Sequence, residues 1–248
     1  RRDRDHADRI LSCGRGAGCG QGAVIPWREV GRATVAGEDA PLVLLQHDRE
    51  FVIRIGPHAL MGSAAHGSEE VLAEIALAPL AARGSARVLI GGLGMGFTLA
   101  AALRQLPPGA TVIVSELFTA VVGWNRGPLA HLAGRPLEDP RVTVREGDVA
   151  VAIREQTAVF DAILLDVDNG PDGLTCPSND RLYSMDGLRA TFRALKAGGV
   201  LGVWSVAPDR AFSRRLVGAG FGVKEVTAGA RGAKGGRHML WLATRSAT

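Results

Sequence analysis

Four carboxylates stand at or just beyond the ends of apolar runs. Glu116 closes TVIVSE (111–116), Asp148 follows RVTVREG (141–147), and Asp166 closes FDAILLD (160–166), with Asp168 two positions on. Each run reads as a strand of a parallel sheet covered on both faces. Ligands of such sheets bind outside the carboxyl ends of the strands, which is where these acids fall. A carboxylate at position 116 can accept both hydroxyls of a ribose, and one at 148 an exocyclic adenine amine. One at 166 can hold or deprotonate an amine or hydroxyl nucleophile. The first strand of the series, RVLIG (87–91), runs instead into Gly92, Gly94 and Gly96. Glycines there let a ligand approach the backbone. The dinucleotide fingerprint G-x-G-x-x-G needs a glycine at 97, which is Phe97, so the spacing suits a nucleoside rather than a pyrophosphate. Structural roles compete with each assignment. Glu116 and Asp148 precede helical segments and could cap them, and Asp166 and Asp168 border a turn-forming DNGPDG stretch. The ordered succession of glycine loop and acids favours the nucleoside.

The elements that position these residues follow from the pattern. Strands at 87–91, 111–116, 141–146, 160–166 and 198–204 alternate with helical stretches near 97–106, 117–126, 148–156 and 181–196. This predicts an α/β domain with a parallel sheet. FGVKEV and RHMLWLAT, joined by a basic glycine-rich turn, predict an antiparallel hairpin at the sheet edge. Upstream, WREVGRATV, PLVLLQ and EFVIRI predict a small antiparallel β element, and Ser68 is the expected N-cap of a helix running to about Leu80. The expected division is residues 1–64, a tail and the β element, and 65–248, the nucleoside-binding domain.

Bulk properties narrow the classes. Of 248 residues, 46 % are hydrophobic, enough for a large core, and the net charge is +4. No apolar run approaches membrane-spanning length, no secretory signal stands at the start, and the mild basicity fits an acidic small molecule without demanding nucleic acid. Three cysteines, Cys13, Cys19 and Cys176, suit reduced thiols in a cytoplasm. Cys13 and Cys19 lie in a glycine-rich stretch without two further ligands at metal spacing, so no metal is expected.

The glycine loop, SELFTAVVGWNRG, REGDVAVAI, FDAILLDVDNGP and LYSMDGLRATFRALKAGGVLGVW together resemble the spermidine synthase-like branch of the class I S-adenosylmethionine-dependent methyltransferase superfamily. The likeness spans about 64 to 245. It implies a Rossmann-like fold, a mostly parallel seven-stranded sheet with an antiparallel C-terminal hairpin, preceded by a small β element. It also implies a homodimer. Carried over, the family roles fall on Gly92, Gly94, Gly96, Glu116 and Asp148 for the cofactor and on Asp166 for catalysis. Asp168, Tyr183, Glu69 and His66 are expected on the acceptor side. The departures are specific. Aminopropyltransferases carry an acid within the glycine loop, where this chain has Met95. Their DSxDP segment is Asp166-Val167-Asp168-Asn169-Gly170 here, and their DEFxYHE segment is SEEVLAE, which keeps Glu69 and Glu74. A buried ammonium without carboxylates is costly, so the change at Met95 favours intact S-adenosylmethionine.

Three functions compete. The first is a transferase that uses S-adenosylmethionine to methylate a small-molecule acceptor. The second is a polyamine aminopropyltransferase using decarboxylated S-adenosylmethionine. The third is a non-catalytic nucleoside-binding protein, against which Asp166 argues. Trp124-Asn125-Arg126 is expected to shape the adenine pocket or to pack. Lys234, Arg237 and His238 border a basic turn that either binds an acidic substrate or is solvated.

Overall fold

The computed structural model describes residues 25–35, 40–167, 181–231 and 234–246. The chain divides into two compact units, residues 1–63 and 64–248.

The first unit is an antiparallel meander of β1 (Arg28–Ala33), β2 (Leu42–His47), β3 (Glu50–Ile55) and β4 (His58–Gly62) in sequential order. Leu42, Leu44, Phe51 and Ile53 form its buried apolar face. The fourth strand adds to the three expected from sequence. HALMG lacks a sustained apolar alternation, and its pairing with β3 is irregular between Ile53 and Arg54.

The second unit opens with helix α1 (Gly67–Leu77) and continues β5 (Arg87–Gly91), α2 (Phe97–Gln105), β6 (Thr111–Glu116), α3 (Thr119–Arg126), β7 (Val142–Glu146), α4 (Val149–Arg154) and β8 (Phe160–Leu165). It ends with α5 (Met185–Ala194), β9 (Leu195–Ser205), α6 (Arg210–Gly218), β10 (Phe221–Arg231) and β11 (Lys234–Arg245). The sheet order is β10-β11-β9-β8-β5-β6-β7. Strands β5 to β9 are parallel, while β11 runs antiparallel to both β9 and β10. This is the doubly wound α/β sheet with a C-terminal hairpin that the sequence predicts.

Burial explains the continuous apolar strands. Every residue of β8 is buried. One face packs Leu89, Ile163, Leu165, Val203 and Trp241 against Ile153, Leu188, Phe212 and Leu216 from α4, α5 and α6. On the other face, α1 lies against β8, β9 and β10, with Leu72 among Trp204, Ala228 and Leu240. Gly202 of β9 lets α1 come close. A Cβ there would stand 2.9 Å from Leu164 Cδ2 and 3.1 Å from Leu72 Cδ1.

Two expectations change. Helix α1 begins at Gly67 with His66 in the N-cap position. Ser68 is therefore inside the first turn, fully buried, and its hydroxyl binds side chains distant in sequence. Helix α6 is an addition, capped by Asp209, whose carboxylate accepts the amides of Ala211 and Phe212. Among the described residues no helix is long and apolar enough to cross a membrane.

The amino end of β8 is anchored by a buried acid. Asp161 is 5 % exposed and accepts the Arg87 amide (2.8 Å), Lys196 Nζ (2.8 Å) and Arg83 Nη1 (2.9 Å). Burial pushes its carboxyl up, but Lys196, the Arg87 amide and Arg83 overcome this and hold it below the usual range. A carboxyl depressed in the folded state contributes stability above its unfolded pKa and loses it as pH falls through the folded one. Asp161→Asn should therefore cost about 1.5–3 kcal/mol at pH 7 and flatten the acid limb of the stability curve, as read by urea unfolding between neutral and acid pH.

Candidate functional site

Strand register brings the sequence-predicted residues to one edge. Gly91 pairs with Ser115 of β6 and Leu165 of β8, and Glu116 pairs with Glu146 of β7. Gly92, Glu116 and Asp166 therefore lie at one level at the carboxyl ends of the strands, with Gly147-Asp148 beside them. The chain reverses its winding between β5 and β8, and a parallel sheet opens a crevice at such a point.

The glycine loop is shaped by backbone geometry. Gly92, Gly94 and Gly96 all have positive φ (88°, 54° and 85°), a region most side chains avoid. At Gly92 a Cβ would fall 2.2 Å from the Asp166 carbonyl oxygen. The Asp166 amide in turn donates to the Gly91 carbonyl at 2.9 Å.

Polar side chains hold this loop. Glu116 is 6 % exposed, and its two oxygens accept the amides of Leu93 (2.8 Å) and Phe118 (2.9 Å). Burial raises its carboxyl, while amides of Phe118, Leu93, Gly94 and Leu117 pull it back. Asn125, 3 % exposed, donates to the carbonyls of Gly94 (2.8 Å) and Val121 (2.9 Å). Of the Trp124-Asn125-Arg126 cluster, Asn125 is thus a clamp on the loop. Asp148 is the N-cap of α4, accepting the Ala150 amide at 2.7 Å. Met95 is 3 % exposed.

On the α1 side the structure assembles a second acid with Asp166. The buried Thr98 hydroxyl, in the first turn of α2, donates to Asp166 Oδ2 at 2.5 Å. Burial raises the Asp166 carboxyl to about 6, against the Thr98 bond. Glu69, in the first turn of α1, is pushed well above the ordinary carboxylate range, chiefly by burial, then by the charges of Asp166 and Glu70. Among the described residues neither Glu69 nor Asp166 has an ion-pair partner. His66 stacks on Phe97 (4.0 Å between centroids, 13° between planes), and its Nδ1 meets Glu70 Oε1 at 2.9 Å.

Other expected residues fall elsewhere. Tyr183 is 2 % exposed, edge-on to Phe212 in the α5–α6 core, so packing occupies the ring expected on the acceptor side. Asp168, Cys13, Cys19 and Cys176 lie outside the described residues, as does the Lys234 side chain. Arg237 is exposed. His238 is half-buried, with Nδ1 at 2.7 Å from Ser68 Oγ. Thr98 and the Ser68–His238 pair were not separable by sequence pattern, since their partners lie far along the chain. Among the described residues no group of three or more metal-binding side chains occurs.

The fold has counterparts among solved structures. A spermidine synthase in complex with the transition-state analogue AdoDATO matches with TM-score 0.69 and 18 % identity, over 89 % of this chain and 73 % of that one. The spermidine synthase from Thermotoga maritima matches with TM-score 0.71 and 19 % identity, over 89 % and 74 %. The fold is that of the spermidine synthases. A protein assigned as an O-methyltransferase from Klebsiella pneumoniae matches with TM-score 0.50 and 22 % identity, over 72 % and 80 %. The chain matches no protein-family model and no curated protein sequence.

The Thr98 bond gives a direct check. Thr98→Val keeps the shape but removes a hydrogen bond that favours the ionised acid. Carbon-13 NMR of the aspartate carboxyls should then show Asp166 titrating above about 6; an unmoved titration would place the hydroxyl elsewhere. The sign for stability is opposite to that of Asp161. A raised carboxyl contributes stability below its unfolded pKa, and this is lost as pH rises through about 6.

Proposed function

We propose that the chain is a transferase that binds S-adenosylmethionine at the carboxyl edge of the sheet and methylates a small-molecule acceptor on the α1 side. The observation that carries this reading is the convergence of the glycine loop, Glu116 and the Glu69–Asp166 pair at the switch point.

The residues present fit an adenosyl donor. The loop of Gly92, Gly94 and Gly96 offers a backbone cradle without side chains at its three turns. The Glu116 oxygens accept the Leu93 and Phe118 amides closely, with the Gly94 and Leu117 amides also directed at them, and a ribose hydroxyl would share the carboxylate's remaining acceptor capacity. Asp148 suits the adenine amine while capping α4. When bound, S-adenosylmethionine supplies an electrophilic carbon on a sulfonium centre. The protein's part is then to align the nucleophile and exclude water. Asp166 would hold an amine or hydroxyl and take its proton, and a carboxyl poised at about 6 exchanges protons readily near neutral pH. Glu69 adds a second acid facing the same acceptor. Met95, apolar and buried, leaves the loop without an acid for a bare ammonium tail. An intact donor with its own carboxylate suits the adjoining N-terminus of α2 better.

Aminopropyl transfer from decarboxylated S-adenosylmethionine is the second reading. Two observations favour it: the pair of acids without a cation among the described residues, which attracts a cationic amine, and the structural likeness to spermidine synthases.

Calorimetry with both donors separates the readings. S-adenosylmethionine should bind more tightly than its decarboxylated form. A preference for the decarboxylated donor with putrescine turnover would replace methyl by aminopropyl transfer. Glu116→Ala should weaken either donor by about 1.5–3 kcal/mol, and unchanged affinity would remove Glu116 from the site. Asp166→Asn should lower turnover about 10²–10⁴-fold with donor affinity nearly constant.

A further inference from the structure

The start of α1 sends its side chains in three directions. His66 and Glu70 pair over Phe97, Glu69 faces Asp166, and Ser68 turns into the sheet. Ser68 is fully buried. Its Oγ accepts the indole N–H of Trp204 at 3.0 Å and lies 2.7 Å from His238 Nδ1. The His238 ring stands edge-on to Trp204 at 4.6 Å and 63°.

These partners come from the same sheet edge as Asp166. Leu165 pairs with Val203, so Trp204 lies level with Asp166. Leu240 pairs with Trp204 and Met239 with Ser205, so His238 stands just beyond the carboxyl end of β9. A tryptophan N–H only donates. Ser68 Oγ therefore accepts from Trp204, and its second lone pair or its own hydrogen meets His238 Nδ1, according to the ring's tautomer. Ser68 is adjacent to Glu69, so a link that fixes one fixes the backbone that aims the other.

We propose that His238 is a positioning residue: acting through Ser68, and with Trp204 as its third member, it holds the first turn of α1 so that Glu69 is set against Asp166. The C-terminal hairpin is thereby coupled to the acceptor side of the site. This rests on Glu69 and Asp166 forming the acceptor side of the proposed transferase. It assigns a role to a histidine that sequence alone places at the border of a basic turn.

The test separates hydrogen bonding from ring packing. His238→Phe keeps a ring against Trp204 and loses the nitrogen that pairs with Ser68. His238→Asn keeps a polar atom near the Nδ1 position. Carbon-13 NMR follows the Glu69 and Asp166 carboxyl titrations in the whole protein without ligand, and calorimetry follows S-adenosylmethionine. His238→Phe should shift the coupled titrations while donor affinity stays within twofold, and His238→Asn should restore them. Acceptor kcat/KM should fall by up to roughly 10²-fold in His238→Phe, as expected for a misplaced positioning group. Ser68→Ala should shift the titrations in the same way, and it provides the same readout should His238→Phe fail to fold. Unchanged titrations in folded His238→Phe or Ser68→Ala would overturn the proposal. Equal shifts in His238→Phe and His238→Asn would also overturn it, because ring packing alone would then explain them. Absence of donor binding to the unaltered protein would instead count against the transferase reading and leave the carboxyl titrations as the test of the link.

Discussion

The contact between the glycine loop and Asp166 constrains everything around it. The Asp166 carbonyl fills the space a side chain at position 92 would need, and the Asp166 amide closes onto Gly91. A larger residue at 92 would force β5 and β8 apart at the edge where they should meet. It would also draw Asp166 from Thr98, whose helix starts directly from the loop. Three further attachments secure the loop: Asn125 on the Gly94 carbonyl, Glu116 on the Leu93 amide and Ser115 on the Gly92 amide. The site is thus held by the protein's own groups before any ligand arrives, which lowers the cost of ordering it on binding.

Two aspartates at opposite ends of β8 show how environment sets the ionisation of a buried acid in opposite directions. Asp161 is surrounded by Lys196, Arg83 and an amide, and remains strongly acidic. Asp166 has a hydroxyl, a neighbouring acid and no cation among the described residues, and its carboxyl rises. An acid without a compensating cation in a crevice is costly to keep charged, and such sites are enriched in functional groups. Glu69 is raised in the same way, chiefly by burial and then by the like charges of Asp166 and Glu70.

The sheet was legible because its central strands are buried on both faces and so read as unbroken apolar runs. Their carboxyl ends were legible for the same reason, which is why the pattern places Gly92, Glu116 and Asp166 at one edge. Local pattern failed where long-range partners decide. Ser68 has the residue type of an N-cap, yet its hydroxyl is taken by Trp204 and His238. Thr98 looks like any helical threonine until β8 brings Asp166 to it. Helix α6 is largely polar outside Phe212 and Leu216, so its apolar periodicity is short. Asp148 caps α4, one of its two sequence readings, and the cap uses only one of its oxygens.

The most direct measurement is a crystal structure of the protein with S-adenosylhomocysteine, the demethylated form of the proposed donor. The ribose hydroxyls should lie within hydrogen-bond distance of the Glu116 carboxylate, the adenine beside Asp148, and the sulfur toward Asp166. A nucleoside bound away from the glycine loop, or with Glu116 and Asp166 on different sides of an unrelated ligand, would contradict the assignment of this edge as an adenosyl donor site.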